Sequence, residues 1–478
     1  MKGMLWAILC VAAVLPARAV AAELPKPTIS AADRKRVEAL TAKLKFDGPA
    51  GRAQAAAALG RMGPSAEAAI GALIRAVGDL DAGVRRESAT ALGKIGRAAG
   101  AAVPALVAAI KDADASVGKA AVGALGRVGP APSSAVGPLL ELLADRNPYV
   151  RGSAAWSLGR MGRRAEPAVA ALVKALGDTD RRVAAFAAAA LGLIGPPAAS
   201  GVGPLIAVLK DRKHAELRRA AAKALGGIGP PAAKAAADEL IAALKDSDAG
   251  VRESAAWSVA RVGAEPARAV AALTAALKDA GLNVRLGAIQ SLEALGPAAA
   301  PAVEPLAGML KAKQTSVRLA ATMALVRIGK AAAPAKGRLI ETLGDYSSKV
   351  RGCAALALAQ IGPEAADATG ALAKALKDPA DSFVRVSAAV ALGKIGAKAS
   401  PAVGALIEAL TDSDATVRAR ATWSLGEIAR PSEKILPHLD RVMRDQHETE
   451  KVRVSAYEAW KKVRRAAEPK KVEGAKEP

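Results

Sequence analysis

Two rows of charged side chains recur along the chain, and their chemistry suits anion binding. An arginine follows a branched apolar residue, usually valine but Gly51 in the first copy, at Arg52, Arg85, Arg151, Arg218, Arg252, Arg285, Arg318, Arg351, Arg385, Arg418 and Arg453. An aspartate stands five residues before the same valine at Asp79, Asp112, Asp145, Asp178, Asp246, Asp279, Asp345 and Asp412. A guanidinium binds a phosphate or a carboxylate through two parallel hydrogen bonds. The arginines could therefore form a phosphate-binding row, but because an aspartate accompanies most of them, a structural role is the alternative.

Groups with catalytic or metal-binding chemistry are sparse. The three histidines, His214, His438 and His447, form no His-x-x-x-His pair, and no Cys-x-x-Cys occurs. Phosphate loops of the Gly-x-x-x-x-Gly-Lys kind are also missing. The carboxylates recur at turns, which indicates capping rather than acid–base work. We therefore predict no catalytic residue, no metal site and no cofactor.

The periodicity of the chain indicates the helices that must position the charged rows. The valine of the Val-Arg pair returns at intervals of nearly always 33 or 34 residues, from Val84 to Val452, after a weaker first copy. A fixed period of this size is typical of a solenoid, in which each unit buries its apolar face against its neighbours. In the copy at 101–129, helical spacing predicts a first helix over 102–111 and a second over 117–128. The sequence thus predicts an all-α, right-handed α-solenoid of about thirteen two-helix repeats.

The second helix has one buried face in every copy. Counted from its valine, offsets 0, 4, 7, 8 and 11 hold apolar or small residues and fall on one arc. Leu225, at offset 8, is therefore predicted to be buried, and Cys353 to be a small packing residue. Offset 9 is often glycine, as at Gly159 and Gly192. Because a mid-helix glycine costs about 1 kcal/mol, this recurrence predicts that neighbouring backbones approach closely.

Residues 31–465 resemble the HEAT-like repeats of the phycobilisome-lyase type. The resemblance is carried by Asp-x-x-x-x-Val-Arg and Ala-Leu-Gly-x-Ile-Gly, as at 79–85 and 91–96. It implies that the Asp and Arg rows join the turns of adjacent units as a ladder, which we expect in place of a phosphate-binding row. Some HEAT-like hydroxylases bind two irons through repeated His-Glu pairs. Here only His447-Glu448 matches, and a single pair cannot make that site.

A further set of side chains lies at offsets 2, 6 and 10 of the second helix, away from the buried arc; we call these positions the stripe. In HEAT-type stacks the second helix lines the concave side, so the resemblance places the stripe in a groove. Tryptophan and arginine are typical interface anchors, although each Trp could instead fill space against a neighbouring helix. The residues that we predict to form a partner-binding groove are Arg86, Lys94, Lys119, Arg127, Trp156, Arg160, Arg219, Lys223, Trp257, Arg261, Met323, Arg327 and Trp423.

The first residues have the order of a signal peptide: Lys2, an apolar run over 4–15, and then small residues. We predict a cleaved signal peptide at 1–22, a linker at 23–30, the repeat solenoid at 31–465 and a disordered tail at 466–478. An uncleaved membrane anchor is the alternative for the leader. The uncharged run at 183–209 is in register with the repeats, so we interpret it as helix, turn and helix rather than as a membrane span. The mature protein is then exported, to the periplasm or beyond the cell.

The composition favours a binding role over catalysis. Aromatic residues make up 2% of the 478 residues, as suits a thin helical stack, and the formal net charge is +23. Such an excess attracts anionic partners or simply solvates the surface. We predict a non-enzymatic scaffold whose partner is a protein bound in the groove. The alternatives are a binder of polyanions, such as an acidic glycan, an anionic surface or nucleic acid, and an enzyme of the bilin-lyase kind.

Overall fold

The computed structural model describes residues 30–125, 127–128, 135–430 and 432–467, and in these ranges the regular elements are helices without strands. The predicted signal peptide, the linker up to residue 29 and the tail from residue 468 lie outside the described residues. The last described helix includes residues 466 and 467. The chain divides into two compact units, up to Glu265 and from Pro266, which are described in turn.

The first unit is a series of two-helix repeats. In each repeat the first helix carries an odd number and the second helix an even number. The helices are α1 Ala31–Phe46, α2 Pro49–Met62, α3 Ile70–Ala76, α4 Ala82–Ile95, α5 Val103–Ala109, α6 Ala115–Leu125, α7 Val136–Leu142, α8 Pro148–Arg160, α9 Val169–Ala175, α10 Arg181–Ile194, α11 Val202–Lys210, α12 Ala215–Ile228, α13 Ala237–Ala243 and α14 Ala249–Ser258. Successive second helices pack side by side, and each also packs on the first helix of its own repeat.

The second unit continues the same alternation. Its helices are α15 Pro266–Ala276, α16 Leu282–Leu295, α17 Val303–Met309, α18 Thr315–Ile328, α19 Lys336–Thr342, α20 Ser348–Ile361, α21 Thr369–Ala375, α22 Ser382–Ile395, α23 Val403–Glu408, α24 Ala415–Ile428, α25 Ser432–Arg444 and α26 Glu450–Ala467. The prediction of an all-α solenoid built from two-helix repeats is therefore confirmed.

The ends of the second helices follow from their sequence. At the start of α4, the Asp81 carboxylate accepts a hydrogen bond from the backbone N–H of Val84 at 2.9 Å, which caps the helix. Gly96 ends it with φ 77°, a left-handed conformation that strongly favours glycine. The chain then makes a 3-10 turn over Gly96–Ala102 before α5 begins. The first helix predicted over 102–111 is therefore shorter, because residue 102 belongs to the 3-10 turn and the N–H groups of Ile110 and Lys111 donate to oxygens three residues back.

Close packing of the second helices explains their small residues. A Cβ added to Gly159 would lie 2.6 Å from the Cα of Ala190, and one added to Gly192 would lie 2.6 Å from the Cα of Ala224. Backbones therefore approach closely at offset 9, as predicted. Leu225 is fully buried, which also confirms its predicted position in the core. Cys353 is buried as a free thiol, consistent with a packing role.

Two stretches of the described residues pass a membrane-span test on length and composition alone, Ala82–Ala109 and Ser382–Thr411. Each consists of a second helix, a 3-10 turn and the following first helix, with a positive-φ glycine where the second helix ends. About half of each apolar window is buried inside the fold. Neither stretch is a clear membrane span. The run at 183–209 has the same helix–turn–helix construction in α10 and α11.

Candidate functional site

The Arg and Asp rows form the predicted ladder between the turns of successive repeats. Arg151 is representative: its Nε and Nη2 donate to the two carboxylate oxygens of Asp178, each at 2.7 Å. Its Nη1 donates to the backbone oxygens of Asp145 at 2.8 Å and Arg146 at 3.1 Å, in its own turn. Each such arginine thus closes its own turn and fastens the next one. The pairs are Arg52–Asp79, Arg85–Asp112, Arg151–Asp178 and Arg218–Asp246 in the first unit, and Arg318–Asp345, Arg351–Asp378, Arg385–Asp412 and Arg418–Glu448 in the second.

The ladder pairs are ionised and mostly shielded from water. The Arg151 hydrogen bonds lower the pKa of Asp178 below its ordinary range, and Asp178 in return raises the pKa of Arg151. Only 15% of the Arg151 side chain and 10% of the Asp178 side chain are exposed. The donors that a phosphate would need are already engaged by carboxylate, so the paired arginines serve the structure.

Two rungs of the ladder escaped the sequence rule. Asp378 pairs with Arg351 at 2.7 Å although one extra turn residue places it six, not five, positions before the next valine. Glu448 replaces aspartate in the last rung and lies 2.6 Å from Arg418. Its carboxylate is thus part of the ladder, which gives the isolated His447-Glu448 pair a structural explanation. Searching for any carboxylate 27–30 residues after the arginine would have found both rungs.

The ladder is interrupted where one partner is missing from the sequence. In the first unit, Gly118 and Ala184 occupy arginine positions, so Asp145 and Asp211 have no ladder arginine. Both carboxylates still cap their own turns, since Asp145 accepts from the N–H of Asn147 and Asp211 from that of Lys213. An aspartate in the predicted row therefore has a turn-capping role that does not require the arginine.

In the first unit the stripe carries a continuous basic row. The offset-10 residues of four consecutive repeats, on or just beyond α2, α4, α6 and α8, are Arg61, Lys94, Arg127 and Arg160. The first three are exposed, and no ion pair joins any of those three to the described residues. Positive charge near a helix C-terminus is favourable in its own right. The row therefore stabilises helix ends and also presents positive potential to solvent.

Arg160 shows how concentrated this charge is. Its guanidinium is half-buried at the end of α8, and its pKa is lowered by that burial and by the positive charge of Arg97. Both effects disfavour the charged form.

The tryptophans of the first unit differ in their environment. Trp156 is half-buried, and its ring meets the edge of Phe186 on α10 with centroids 6.0 Å apart at 60°. This Trp fills space against the neighbouring helix, which is the alternative that the sequence left open. Trp257 on α14 is 37% exposed, and the Arg261 guanidinium lies 5.9 Å from its ring centroid. Trp257 and Arg261 therefore present an aromatic–cation pair at the surface.

The other predicted residues of the first unit are exposed to solvent. Arg86 pairs with the neighbouring Glu87 at 3.1 Å, and Arg219 pairs with Asp248 on the next turn at 3.2 Å. Lys119 and Lys223 are exposed, without an ion pair to any described residue. Surface pairs of this kind contribute little stability, so these cations remain available to a partner.

In the second unit the stripe is mixed. Met323 is half-buried and packs against Leu356 and Phe383, so at α18 and α20 the stripe merges with a small apolar cluster. Leu356 also stands at offset 6, but it is only 3% exposed because it packs in this cluster with Phe383. Arg327 at the end of α18 is exposed.

Trp423 on α24 lies beside a cavity of the second unit. Its half-buried ring lies over Gly393 of α22, and Lys394 Nζ lies 5.9 Å from its centroid. A cavity of about 530 Å³ opens beside it, lined by Trp423, Lys394, Lys398, Glu427 and their neighbours. An apolar ring beside two ammonium groups suits an acidic or amphipathic segment.

Within the described residues, no group of three or more His, Cys, Asp or Glu side chains is placed to hold a metal ion. The ladder carboxylates each face an arginine, and the described cysteine is buried. The charged groups of the described ladder are therefore engaged in holding the turns together.

Comparison with known families finds repeated matches. The model for HEAT repeats matches residues 37–103, 81–146, 136–202, 202–293 and 337–403, and a second HEAT-repeat model matches 402–431. Together these matches cover well over half of the chain. No curated protein matches the sequence.

Several solved structures share the fold at low identity. Kap95p in complex with RanGDP gives a TM-score of 0.64 at 15% identity, covering 90% of this chain and 67% of that one. Importin beta in ammonium sulfate gives 0.59 at 15%, covering 90% and 69%. Kap121p bound to the extreme C-terminus of the phosphatase Cdc14p gives 0.59 at 13%, covering 91% and 58%. At such identities the likeness is one of fold.

Proposed function

Because the chain belongs to the family of HEAT-repeat proteins, we propose that it is a non-enzymatic scaffold that binds a protein partner through the stripe of its second helices. The exposed Trp257–Arg261 pair carries this proposal. A large aromatic ring beside a cation on a helix face has the composition of an interface anchor. The basic row in the same unit indicates that the partner segment is acidic.

The similar structures agree with this proposal at the level of fold. Kap95p is seen with RanGDP, and Kap121p with a C-terminal segment of Cdc14p. RanGDP and Cdc14p are partners of Kap95p and Kap121p, and we do not assign them to this chain. What we take from them is that a stack of helical repeats offers a long surface on which another protein can lie.

The test separates the apolar anchor from the basic residues. The partner is first captured from the exported fraction at two salt concentrations, and its binding kinetics are then measured against variants. Trp257→Ala should speed dissociation at every salt concentration, because a ring buried in an interface can contribute about 2 kcal/mol or more. Arg86→Ala combined with Lys119→Ala should slow association chiefly at low salt, because exposed charges steer the approach and are screened by ions.

Lys374 on α21 is the matched control, since it is an exposed cation on a first helix and lies outside the stripe. Lys374→Ala should leave both rate constants unchanged. If Lys374→Ala abolished binding while the Trp257 and Arg86 variants bound normally, the working surface would be that of the first helices.

The basic row supports a second candidate function, the binding of a polyanion. Arg61, Lys94 and Arg127 stand on consecutive repeats without ion pairs to the described residues, as a site for an anionic polymer requires. Polyanion affinity falls steeply with salt, whereas binding through Trp257 does not. Binding that disappears between 50 mM and 200 mM salt and survives Trp257→Ala would favour the polyanion.

We propose further that the protein is exported after cleavage of the leader at 1–22. The charge, apolar run and small residues of that leader motivate the proposal. The mature chain should begin near Val20 or Glu23 when its N-terminus is determined from the exported fraction. A mature chain that still begins with Met1 would show instead that the leader is retained as an anchor.

The phycobilisome-lyase type of repeat raises a third hypothesis, an enzyme of the bilin-lyase kind. It rests on the resemblance alone, and no catalytic group among the described residues selects it. Incubation with a bilin and an acceptor protein tests it directly. A covalent bilin adduct on the acceptor would replace the scaffold proposal with an enzymatic one.

A further inference from the structure

In the second unit, Arg285 has no ladder carboxylate although the turn that would carry one is among the described residues. Arg285 stands near the start of α16, and its Nη1 donates to the backbone oxygens of Asp279 at 2.7 Å and Ala280 at 2.9 Å. This is how the other ladder arginines hold their own turns. The ladder carboxylate usually stands 27 residues further along, but that position is Ala312. Arg285 forms no ion pair in the part of the chain that the structure describes.

The turn at Ala312 keeps the shape of the other turns. Arg318 donates from Nη1 to the backbone oxygens of Ala312 at 3.0 Å and Lys313 at 3.1 Å. Arg318 then forms its own rung with Asp345 at 2.6 Å. The rung before Ala312 therefore lacks only a carboxylate, while the backbone that would carry it is held in its usual place.

In the complete rungs, three hydrogen-bond donors converge on the ladder carboxylate. In the complete rungs, arginine Nε lies 2.6–2.8 Å and Nη2 lies 2.7–3.0 Å from the two carboxylate oxygens. The same carboxylate usually accepts a backbone N–H two residues further on, as Asp345 does from Ser347 at 2.8 Å. At the open rung these donors are Nε and Nη2 of Arg285 and the N–H of Gln314, which has no acceptor among the described residues.

The local charge favours an anion there. Arg285 is half-buried, and its guanidinium lacks the counter-charge that every complete rung supplies. Lys313 adds an exposed positive charge on the same turn, without an ion pair to the described residues, while Lys311 is balanced by Glu341 at 3.4 Å. A planar carboxylate fits a guanidinium fork through two parallel hydrogen bonds.

We propose that the open rung at Arg285 and Ala312 is a binding site for a carboxylate supplied in trans, the side chain of an Asp or Glu from a bound polypeptide. The incoming group completes the ladder by taking the place of the missing aspartate. The site lies on the turns and not on the stripe. Its carboxylate binding can therefore be tested independently of the function proposed for the second helices.

Sodium acetate is the probe that isolates this chemistry. At pH 7 the Arg285 Nε–H resonance of arginine-labelled protein, assigned by its loss in Arg285→Lys, should shift and saturate as acetate is added. Sodium chloride at equal ionic strength should not reproduce the shift. Ala312→Asp supplies the carboxylate in cis, so its Nε–H should already be shifted and its response to acetate should fall at least tenfold.

A gain-of-site variant provides the matched control. Asp345→Ala opens an equivalent rung at Arg318, so the Arg318 Nε–H should acquire the acetate response that it lacks in the wild type. An Arg285 response that persists in Ala312→Asp, or that chloride matches, would overturn the proposal. Inorganic phosphate that displaces acetate with tenfold or greater preference would overturn the assignment to carboxylate.

Discussion

Leu225→Ala is expected to destabilise the first unit by about 2–5 kcal/mol, the range for removing a buried leucine side chain and leaving a cavity. Leu225 lies on α12, is fully buried, and sits where α12 meets α10, α11 and α14. The stability of a repeat stack is close to a sum of terms between neighbours. The damage should therefore be greatest in α12 and its neighbours and should fade with distance along the stack.

Hydrogen exchange measured by mass spectrometry tests this expectation. Amide protection should fall across 183–263 and should remain close to wild type in α2, at 49–62. Leu193→Ala on α10 is the matched control, because that leucine is 51% exposed and its loss removes little buried area. Unchanged exchange across 183–263 in Leu225→Ala would show that the leucine does not hold the interface between repeats.

The repeat fold could be predicted because every copy of the repeat carries the same local sequence signals. A capping residue, an apolar arc and a terminal glycine recur with one period. A weak signal in one repeat can therefore be interpreted from the clearer signals in its neighbours. The sequence pattern predicted the link between repeats but not its 3-10 conformation, as over Gly96–Ala102. The hydrophobic period cannot separate i→i+3 from i→i+4 hydrogen bonding over a single turn.

The stripe was less predictable because its positions share a helix face but not an environment. Trp156 and Trp257 have the same offset, yet Trp156 meets Phe186 from the next repeat, while Trp257 pairs with no aromatic ring of the described residues and remains 37% exposed. Leu356 is covered by Phe383 in the same way. These differences are set by a phenylalanine near the start of the next second helix: Phe186 follows Trp156 by 30 positions, and Phe383 follows Leu356 by 27. A phenylalanine 27–30 residues further along the chain therefore distinguishes these two covered stripe positions from the exposed Trp257.

Asp178→Asn is expected to destabilise the first unit by about 1–3 kcal/mol at pH 7. The amide keeps an oxygen that can accept the turn bond from the N–H of Asp180, now 2.8 Å long, but it cannot form the ion pair with Arg151. Hydrogen bonds to a charged group contribute about 1.5–3 kcal/mol each, and a buried charge that loses its partner adds a further penalty. Partial exposure of the pair to solvent reduces both contributions.

The stabilising effect of the Asp178 carboxylate should depend on pH, because its pKa is lowered in the folded state. Arg151 holds the folded-state pKa of Asp178 below its ordinary value of 3.8. The ionised carboxylate therefore contributes its full stability above that value, and the contribution is lost as the pH falls through the lowered pKa. Wild type and Asp178→Asn should differ in denaturant midpoint at pH 7 and should converge as the pH is brought below about 4.

The Asp145→Asn variant distinguishes the stability contributed by the ladder ion pair from the stability contributed by turn capping. Asp145 caps its own turn through the N–H of Asn147 at 2.8 Å, as Asp178 does, but Gly118 occupies the position of its ladder arginine. Its substitution should change the free energy of unfolding by no more than about 0.5 kcal/mol. Equal losses in Asp145→Asn and Asp178→Asn would mean that the aspartates act by capping their turns. A larger loss in Asp178→Asn alone would mean that the ion pairs between turns stabilise the stack, because those pairs are what the two sites do not share.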